Sequence, residues 1–251
     1  AWDVSTADYD TKFKDVSDQD TNPYGVSFKP DGTKMYMVGY TNDTVYQYSL
    51  SPAWDVSTAD YDTKFKDVGD QETNPRGVFF KPDGTKMYIM GGATATVYQY
   101  SLSTAWDVST ADYDTKLKDV GGQDTNTYGV FFKPDGTKMY IMGNTNDTVY
   151  QYSLSTAWDV STADYDTKLK YVGTQDLTPT DVFFKPDGTK MYIVGNYYDT
   201  VHQYSLPVVA ATVTTVAADN IGQTKANPKG NVTNTGGENP TRYIDYDIDS
   251  G

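Results

Sequence analysis

Apolar residues in this chain come in short bursts separated by polar turns. "GVFF" (Gly129–Phe132), "KMYIMG" (Lys138–Gly143) and "TVYQYSL" (Thr148–Leu154) are three successive examples. In the last of these, Val149, Gln151 and Ser153 fall on one side, and Tyr150, Tyr152 and Leu154 on the other. "ADYDTKLKDV" alternates too, with Tyr113, Thr115 and Leu117 opposed to Asp114, Lys116 and Lys118. A period of two predicts β-strands, and no stretch carries the 3.6-residue period of a helix. Between the first two bursts stands "KPDGTK". Its Pro fixes φ for the first central turn position, its Asp tolerates the second, and its Gly supplies the left-handed residue that returns the chain. This predicts a tight hairpin.

The pattern recurs with a constant offset of 52 residues: "AWDVSTADYDTK" begins at Ala1, Ala53, Ala105 and Ala157, and "FKPDGTKMY" at Phe28, Phe80, Phe132 and Phe184. Each unit therefore holds four strands, called here A ("GVFF"), B ("KMYIMG"), C ("TVYQYSL") and D ("DYDTKLKDV"). Four short antiparallel strands in a repeat of this length predict a β-propeller blade, which buries its two faces only by stacking on its neighbours. The expected fold is all-β: a propeller over residues 1–206, followed by a partial β-sandwich over 207–251.

The stretches "FKPDGTKMYIVG" and "DTVYQYSL" resemble the blades of YVTN and NHL-like propellers, a likeness that covers residues 1–206 and implies fold rather than function. The chain begins with a D strand at about Asp8–Val16, and the fourth repeat ends after strand C at Leu206. The N-terminal strand thus supplies what the last blade lacks. One chain closing a four-bladed ring is the preferred reading. Two chains forming an eight-bladed ring, or a piece of a longer array, are the alternatives.

The tail changes character. "ATVTTV", "KANPKGNVTN" and "TRYIDYDI" read as three strands, and "GNVTNTGGENPTRY" resembles fibronectin-III and immunoglobulin-like modules of bacterial surface proteins. A complete sandwich needs about seven strands. Either the tail is cut short or strands of a neighbouring subunit complete it, and in the second case Val213, Ile244, Tyr246 and Ile248 are expected along the edge that is covered.

Composition narrows the function classes. The formal charge is −14, from 34 acidic and 20 basic residues, which argues against nucleic acid as a partner. There is no cysteine, so disulfides and thiolate chemistry are excluded. No apolar run reaches the roughly 20 residues of a membrane helix, and no membrane insertion is expected. The chain opens in mid-repeat without an initiator Met, and reads as a mature or excised part of something longer.

Four near-identical repeats also act as their own comparison. The positions that differ gather just before strand A (Tyr24, Arg76, Tyr128, Thr180) and in the B–C link (Tyr40, Gly92, Asn144 and Asn196 onward, including Tyr197 and Tyr198). The D–A and B–C links of a blade emerge on the same side of the disk. These residues are either loop drift or a binding face, and Tyr24, Arg76, Tyr128, Tyr40, Asn144, Tyr197 and Tyr198 are the candidates for recognising a protein or glycan.

Other candidates carry less. Trp2, Trp54, Trp106 and Trp158 read as packing anchors between blades. Asp8, Asp10 and the Asn42–Asp43 links offer oxygens of the kind calcium uses, although no EF-hand spacing is present and no cofactor is expected. Sequons stand at Asn42, Asn146 and Asn231. The only histidine, His202, occupies a Tyr position of the repeat with no nucleophile beside it, so an enzyme is not expected and a lactonase-type hydrolase ranks last. The expected function is a non-catalytic binding or adhesion module, extracellular on a cell surface or virion. A filament subunit built from copies of itself is the alternative.

Overall fold

The computed structural model describes residues 8–207, 212–222 and 225–234. It is all-β, with the strands falling into blades as the repeat dictates. The first blade is β1 (Pro23–Phe28), β2 (Lys34–Gly39), β3 (Thr44–Ser49) and β4 (Asp60–Asp67), hydrogen-bonded in that order. The second is β5 (Pro75–Phe80), β6 (Lys86–Gly91), β7 (Thr96–Leu102) and β8 (Ala111–Asp119). The third is β9 (Thr127–Phe132), β10 (Lys138–Gly143), β11 (Thr148–Leu154) and β12 (Ala163–Tyr171). The fourth has three strands, β13 (Pro179–Phe184), β14 (Lys190–Gly195) and β15 (Thr200–Ser205). This is a β-propeller architecture.

The chain divides into two compact units, one of Ala1–Phe184 with Tyr192–Gln203 and one of Lys185–Met191 with Tyr204–Gly251. The second unit contains an antiparallel pair, β16 (Thr212–Gly222) and β17 (Lys225–Asn234), with Val213 opposite Val232. These are the first two strands expected in the tail. The third, carrying Ile244, Tyr246 and Ile248, lies outside the described residues.

Blades are held face to face by apolar side chains. Tyr36, Val38 and Val45 of the first blade pack with Val78, Phe80, Met87, Ile89 and Tyr98 of the second. Tyr88, Met90 and Val97 of the second pack in the same way with Val130, Phe132, Met139 and Ile141 of the third. Strand B is buried on both faces, which is why "KMYIMG" is a continuous apolar run rather than an alternating one. Truncating one fully buried residue of this layer, such as Phe132, to Ala costs about 3–5 kcal/mol.

Polar links cross the same boundaries. The buried Gln47 accepts from Val108 N at 2.9 Å while its Nε2 donates to Asp62 of its own blade at 2.7 Å. Lys64 of the first blade pairs with Asp107 at 2.5 Å, and Lys116 of the second with Asp159 at 2.5 Å.

The hairpin reading of "KPDGTK" holds. Gly136 N donates to Lys133 O at 2.8 Å, and Gly136 has φ +72°. Asp135 accepts from Thr137 N and Oγ1 at 2.9 and 2.6 Å, closing the turn with its own side chain. The tryptophans sit on these turns. Trp54, Trp106 and Trp158 adopt left-handed backbone (φ 67°, 65° and 67°), and a Cβ on Gly32, Gly84 or Gly136 would lie 2.3–2.4 Å from the respective indole. Each indole therefore caps a turn, and two of them also reach the preceding blade, as the packing-anchor reading expects: the Trp106 ring lies 6.3 Å from that of Tyr36 and the Trp158 ring 6.3 Å from that of Tyr88, and the two tryptophan carbonyls accept from the same tyrosines. Trp2 lies outside the described residues.

Two expectations are corrected. Strand D does not alternate throughout. Gln99 pairs with Lys116 and Tyr100 with Tyr113, leaving Asp114 and Thr115 as a bulge, with Thr115 at φ 57°. The bulge turns Asp114 toward Gln99 Nε2 (2.6 Å) and Lys86 Nζ (3.1 Å), and leaves Leu117 45% exposed.

The second correction concerns ring closure by the N-terminal strand, which is not made within the chain. Residues 8–16 form no strand, and β15 has no fourth partner among the described residues. The segment instead lies on the outer face of the first blade, where Lys12 pairs with Asp55 at 2.8 Å.

Candidate functional site

The D–A and B–C links do share one face, and a buried carboxylate ties them together in each blade. In the third blade Asp124, 2% exposed, accepts from Asn126 N at 2.9 Å and from Asn146 N at 2.8 Å. Asp20 and Asp176 repeat the arrangement, and Glu72 does so in the second blade with an added bond from Thr94 Oγ1 at 2.6 Å. These four acids were not among the sequence candidates. Their signal was an acidic residue repeated at a fixed offset in an otherwise variable link.

On this frame the variable residues meet. Tyr24 lies against Tyr40 and Tyr128, with ring centroids 6.0 and 6.1 Å apart. The guanidinium of Arg76 sits 3.9 Å over the Tyr128 ring and donates through Nη1 to Asn126 Oδ1 (2.5 Å) and through Nε to Asn74 Oδ1 (3.2 Å). Asn126 continues to Asn144 at 2.9 Å, and Asn144 to the Pro179 carbonyl at 3.1 Å. One aromatic and amide belt thus joins Tyr40, Tyr24, Tyr128, Arg76 and Asn144 across successive blades. Tyr197 and Tyr198 are not part of it. They pack on each other edge to face at 4.7 Å and are 56% and 55% exposed.

The variation within this belt is coordinated. A Cβ at position 92 would lie 2.2 Å from Arg76 Nε, so the one repeat that carries Arg before strand A also carries Gly where the others have Tyr40, Asn144 and Asn196.

A second departure stands beside it. The innermost strands β1, β5 and β9 each carry a glycine, Gly25, Gly77 and Gly129, where neighbouring strands approach closely. A Cβ on Gly77 would lie 2.8 Å from the Tyr128 carbonyl. In β13 the same position is Asp181, whose Oδ1 would lie 2.2 Å from a Cβ on Gly129. Asp181 therefore rests directly on Gly129, next in sequence to the tyrosine under Arg76. The residue is open to solvent, yet the crowding of its carboxyl by the inner strands desolvates it and raises its pKa to about 6, offset only in part by the Val182 N–H at 2.8 Å. Sequence reading passed over Asp181, although "DVFF" against "GVFF" was the visible signal.

The remaining candidates are placed as follows. His202 lies on β15, with Nε2 2.8 Å from Thr200 Oγ1. The amides of Asn42 and Asn146 donate to Gln19 O and Gln123 O at 2.9 and 3.0 Å, so both sequon side chains are engaged in joining the links, and Asn231 lies on β17. Asp8 and Asp10 are exposed on the N-terminal segment, and Asp43 has one buried oxygen without a hydrogen-bond partner. Among the described residues no group of three or more His, Cys, Asp or Glu side chains comes together to hold a metal ion, and no helix is long and apolar enough to cross a membrane.

The family described as lactonase, 7-bladed beta-propeller, matches residues 4–227 of the chain. No curated protein matches it in sequence. Among solved structures, a candidate 6-phosphogluconolactonase of Bacteroides uniformis aligns with TM-score 0.52 at 13% identity, over 73% of this chain and 50% of that one. A second, from Bacteroides fragilis, gives 0.51 at 15% identity over the same shares, 73% and 50%. The periplasmic gluconolactonase PpgL of Pseudomonas aeruginosa gives 0.50 at 15%, over 73% and 49%. The chain spans about half the length of the structures it matches. At these identities the structural likeness speaks for the fold. The family match overturns the expectation of a non-catalytic adhesion module, together with its filament alternative and its phage and adhesion vocabulary, because it assigns the repeats to a family named for an enzyme. That expectation had rested on the lone His202. With a match running through all four repeats, this chain belongs to the lactonase family of seven-bladed β-propellers.

Proposed function

We propose that this chain hydrolyses a lactone, a cyclic ester, at the end of the propeller that carries the Arg76–Tyr128 pair, with Asp181, which rests on Gly129, as the residue that acts on water. The observation that supports this reading is the replacement of an inner-strand glycine by Asp181, whose Oδ1 lies 2.2 Å from where a Cβ on Gly129, the residue after Tyr128, would stand. Asp181 acts as general base. Its carboxylate takes a proton from water, the water oxygen attacks the lactone carbonyl carbon, and the carbonyl oxygen becomes an oxyanion. Collapse breaks the ring C–O bond, and the proton on Asp181 passes to the departing alkoxide, giving a hydroxy acid. Arg76 supplies a fixed positive charge for the oxyanion and for the carboxylate product. Its Nη2 makes no hydrogen bond among the described residues, and Nε and Nη1 are anchored by Asn74 and Asn126.

Sugar lactones are the substrate class this reading favours, because the belt pairs aromatic faces with amide groups suited to hydroxyls. The YVTN-like character of the repeats then describes the blade type. The extracytoplasmic location expected from the sequence is proposed here in its broader form, secreted or periplasmic.

The test is hydrolysis of five- and six-membered aldonolactones followed by acid release at constant pH. The rate should rise with pH through about 6 as Asp181 ionises, and Asp181→Asn should lower kcat by roughly 10²–10⁴-fold. Lactone opening no faster than in buffer, or an Asp181→Asn variant with the parent rate, would reject the assignment.

A further inference from the structure

Arg76 stands on β5 of the second blade and Asp181 on β13 of the fourth, so the third blade lies between the two groups that the proposed chemistry uses. A relay of side-chain hydrogen bonds crosses that blade. Arg76 Nη1 donates to Asn126 Oδ1 at 2.5 Å, and Asn126 Nδ2 donates to Asn144 Oδ1 at 2.9 Å. Asn144 Nδ2 then donates to the Pro179 carbonyl at 3.1 Å, two residues before Asp181 in the chain. The relay runs one way only. A guanidinium only donates and a carbonyl only accepts, so each amide between them is left a single orientation. Flipping Asn126 sets N–H against the guanidinium and oxygen against Asn144; flipping Asn144 does the same toward Asn126 and Pro179. Either flip leaves two contacts unsatisfied.

The positions that build the relay set the third repeat apart. The pair formed by Asn126 and Asn144 reads Asn22 and Tyr40 in the first repeat, Asn74 and Gly92 in the second, and Thr178 and Asn196 in the fourth. Two amides in series therefore occur only in the repeat that receives Arg76. Position 127 differs as well, being proline in the other three repeats (Pro23, Pro75 and Pro179). Thr127 is fully buried, and its Oγ1 donates to the Gly91 carbonyl at 2.8 Å, next to the glycine that makes room for Arg76. Its own carbonyl takes a second bond from Arg76 Nη1 at 3.3 Å. The third blade thus grips the guanidinium on one side and, through Asn144, the start of β13 on the other.

We infer that Asn144 is a positioning residue for Arg76. Its side-chain bonds go to Asn126 and to Pro179, so it acts on the guanidinium through Asn126. By fixing the Asn126 amide it keeps Arg76 over the Tyr128 ring and at a set span from the strand that carries Asp181. It contributes orientation and no charge. The effect on catalysis rests on the lactonase reading above, whereas the positioning of Arg76 does not.

The experiment uses the full chain, whose only arginines are Arg76 and Arg242. In a proton–nitrogen correlation spectrum the arginine Nε–H region therefore holds two signals, and Arg76→Lys identifies the one from Arg76. With the guanidinium carbon 3.9 Å over the Tyr128 ring and Nε donating to Asn74, that signal should stand upfield of a solvent-exposed arginine and exchange slowly with water. Asn144→Ala should move it toward the exposed position and speed its exchange, with the backbone spectrum otherwise retained. Asn144→Gly, which copies Gly92 of the second repeat, should do the same and serves if the alanine variant does not fold. An Arg76 signal that keeps the parent's position and exchange rate in these variants overturns the proposal, whatever the loss of stability. In the lactone assay Asn144→Ala should lower kcat by roughly 10-fold or more with KM little changed. A moved signal with the parent rate supports the positioning and counts against the role given to Arg76 in hydrolysis. If no lactone is opened, the spectrum alone decides.

Discussion

The hydroxyl of Tyr36 donates to the main-chain carbonyl of Trp106, 70 residues away, at 2.7 Å across the boundary between the first two blades. Tyr88 repeats the bond to Trp158 at 2.8 Å. Burial pushes both phenols well above the ordinary tyrosine range, so each remains a donor at any physiological pH.

Tyr88→Phe keeps the ring on Phe132 and removes only that donor, leaving a carbonyl unsatisfied at the boundary. The expected loss is about 1–2 kcal/mol, read as a lower denaturation midpoint in urea with an unchanged slope. A midpoint equal to the parent's would mean that water serves the carbonyl equally well.

The turn glycines separate two costs. Gly136→Ala meets both a positive φ and an indole at 2.4 Å, whereas Gly188→Ala meets the same φ (+71°) with nothing within 4 Å. Backbone strain alone is about 1–2 kcal/mol. Thermal melting should show Gly188→Ala near that value and Gly136→Ala clearly beyond it. Equal shifts would refute the account of Trp158 as a cap on the turn.

Asp147 gives a pH dependence of known sign. Burial first, and then Asp124 and Asp176, raise its pKa above the usual carboxylate range, and one of its oxygens is buried without a partner. The folded state therefore holds the proton more tightly than the unfolded chain, so its ionised form weakens the fold and stability improves as pH falls through the folded pKa. Asp147→Asn suits the left-handed backbone (φ 47°) and carries no charge. It should raise the melting temperature at pH 7–8, with the gain shrinking in acid. A constant gain across pH would point to a cause other than charge.

The Arg76–Gly92 pairing is testable through activity. Gly92→Asn, which copies Asn144 of the third repeat, places a side chain where Arg76 Nε now lies and displaces the guanidinium. Loss of a charge-assisted contact of about 1.5–3 kcal/mol corresponds to a fall in kcat/KM of roughly 10-fold or more. Arg76→Tyr with Gly92→Asn restores the third-repeat combination and should recover the fold's stability without the activity. Full activity in Gly92→Asn would sink the proposed role of Arg76.

Much of this architecture was readable in the chain. The 52-residue offset gave the blades, the Pro-Asp-Gly stretch gave the hairpins, and the missing fourth strand of the last repeat was plain from where "TVHQYSL" ends. What escaped depended on three-dimensional neighbours. Thr115 lies in a run that alternates on paper, and only its pairing with β7 reveals the bulge. Val26 and Val78 are the same residue in the same motif, yet one is 57% and the other 7% exposed, because burial here depends on which blade comes before. At the candidate site the tyrosines and Arg76 were found by comparing repeats. Asp181 was missed one position further along because attention stopped at the link and did not follow the inner strand. The partner of Arg76 is a glycine, and a glycine shows its purpose only once the neighbouring side chain has a position.

The interchangeable blade faces have a consequence for how such a chain changes over generations. Recombination between two 52-residue copies adds or removes a whole blade and leaves every remaining boundary with the chemistry it had: the same tyrosine to the same carbonyl, the same lysine to the same aspartate. No new interface has to arise for the repeat number to drift. Only residues that differ between copies, such as Arg76 and Asp181, record which blade is which, and an exchange that loses them preserves the scaffold.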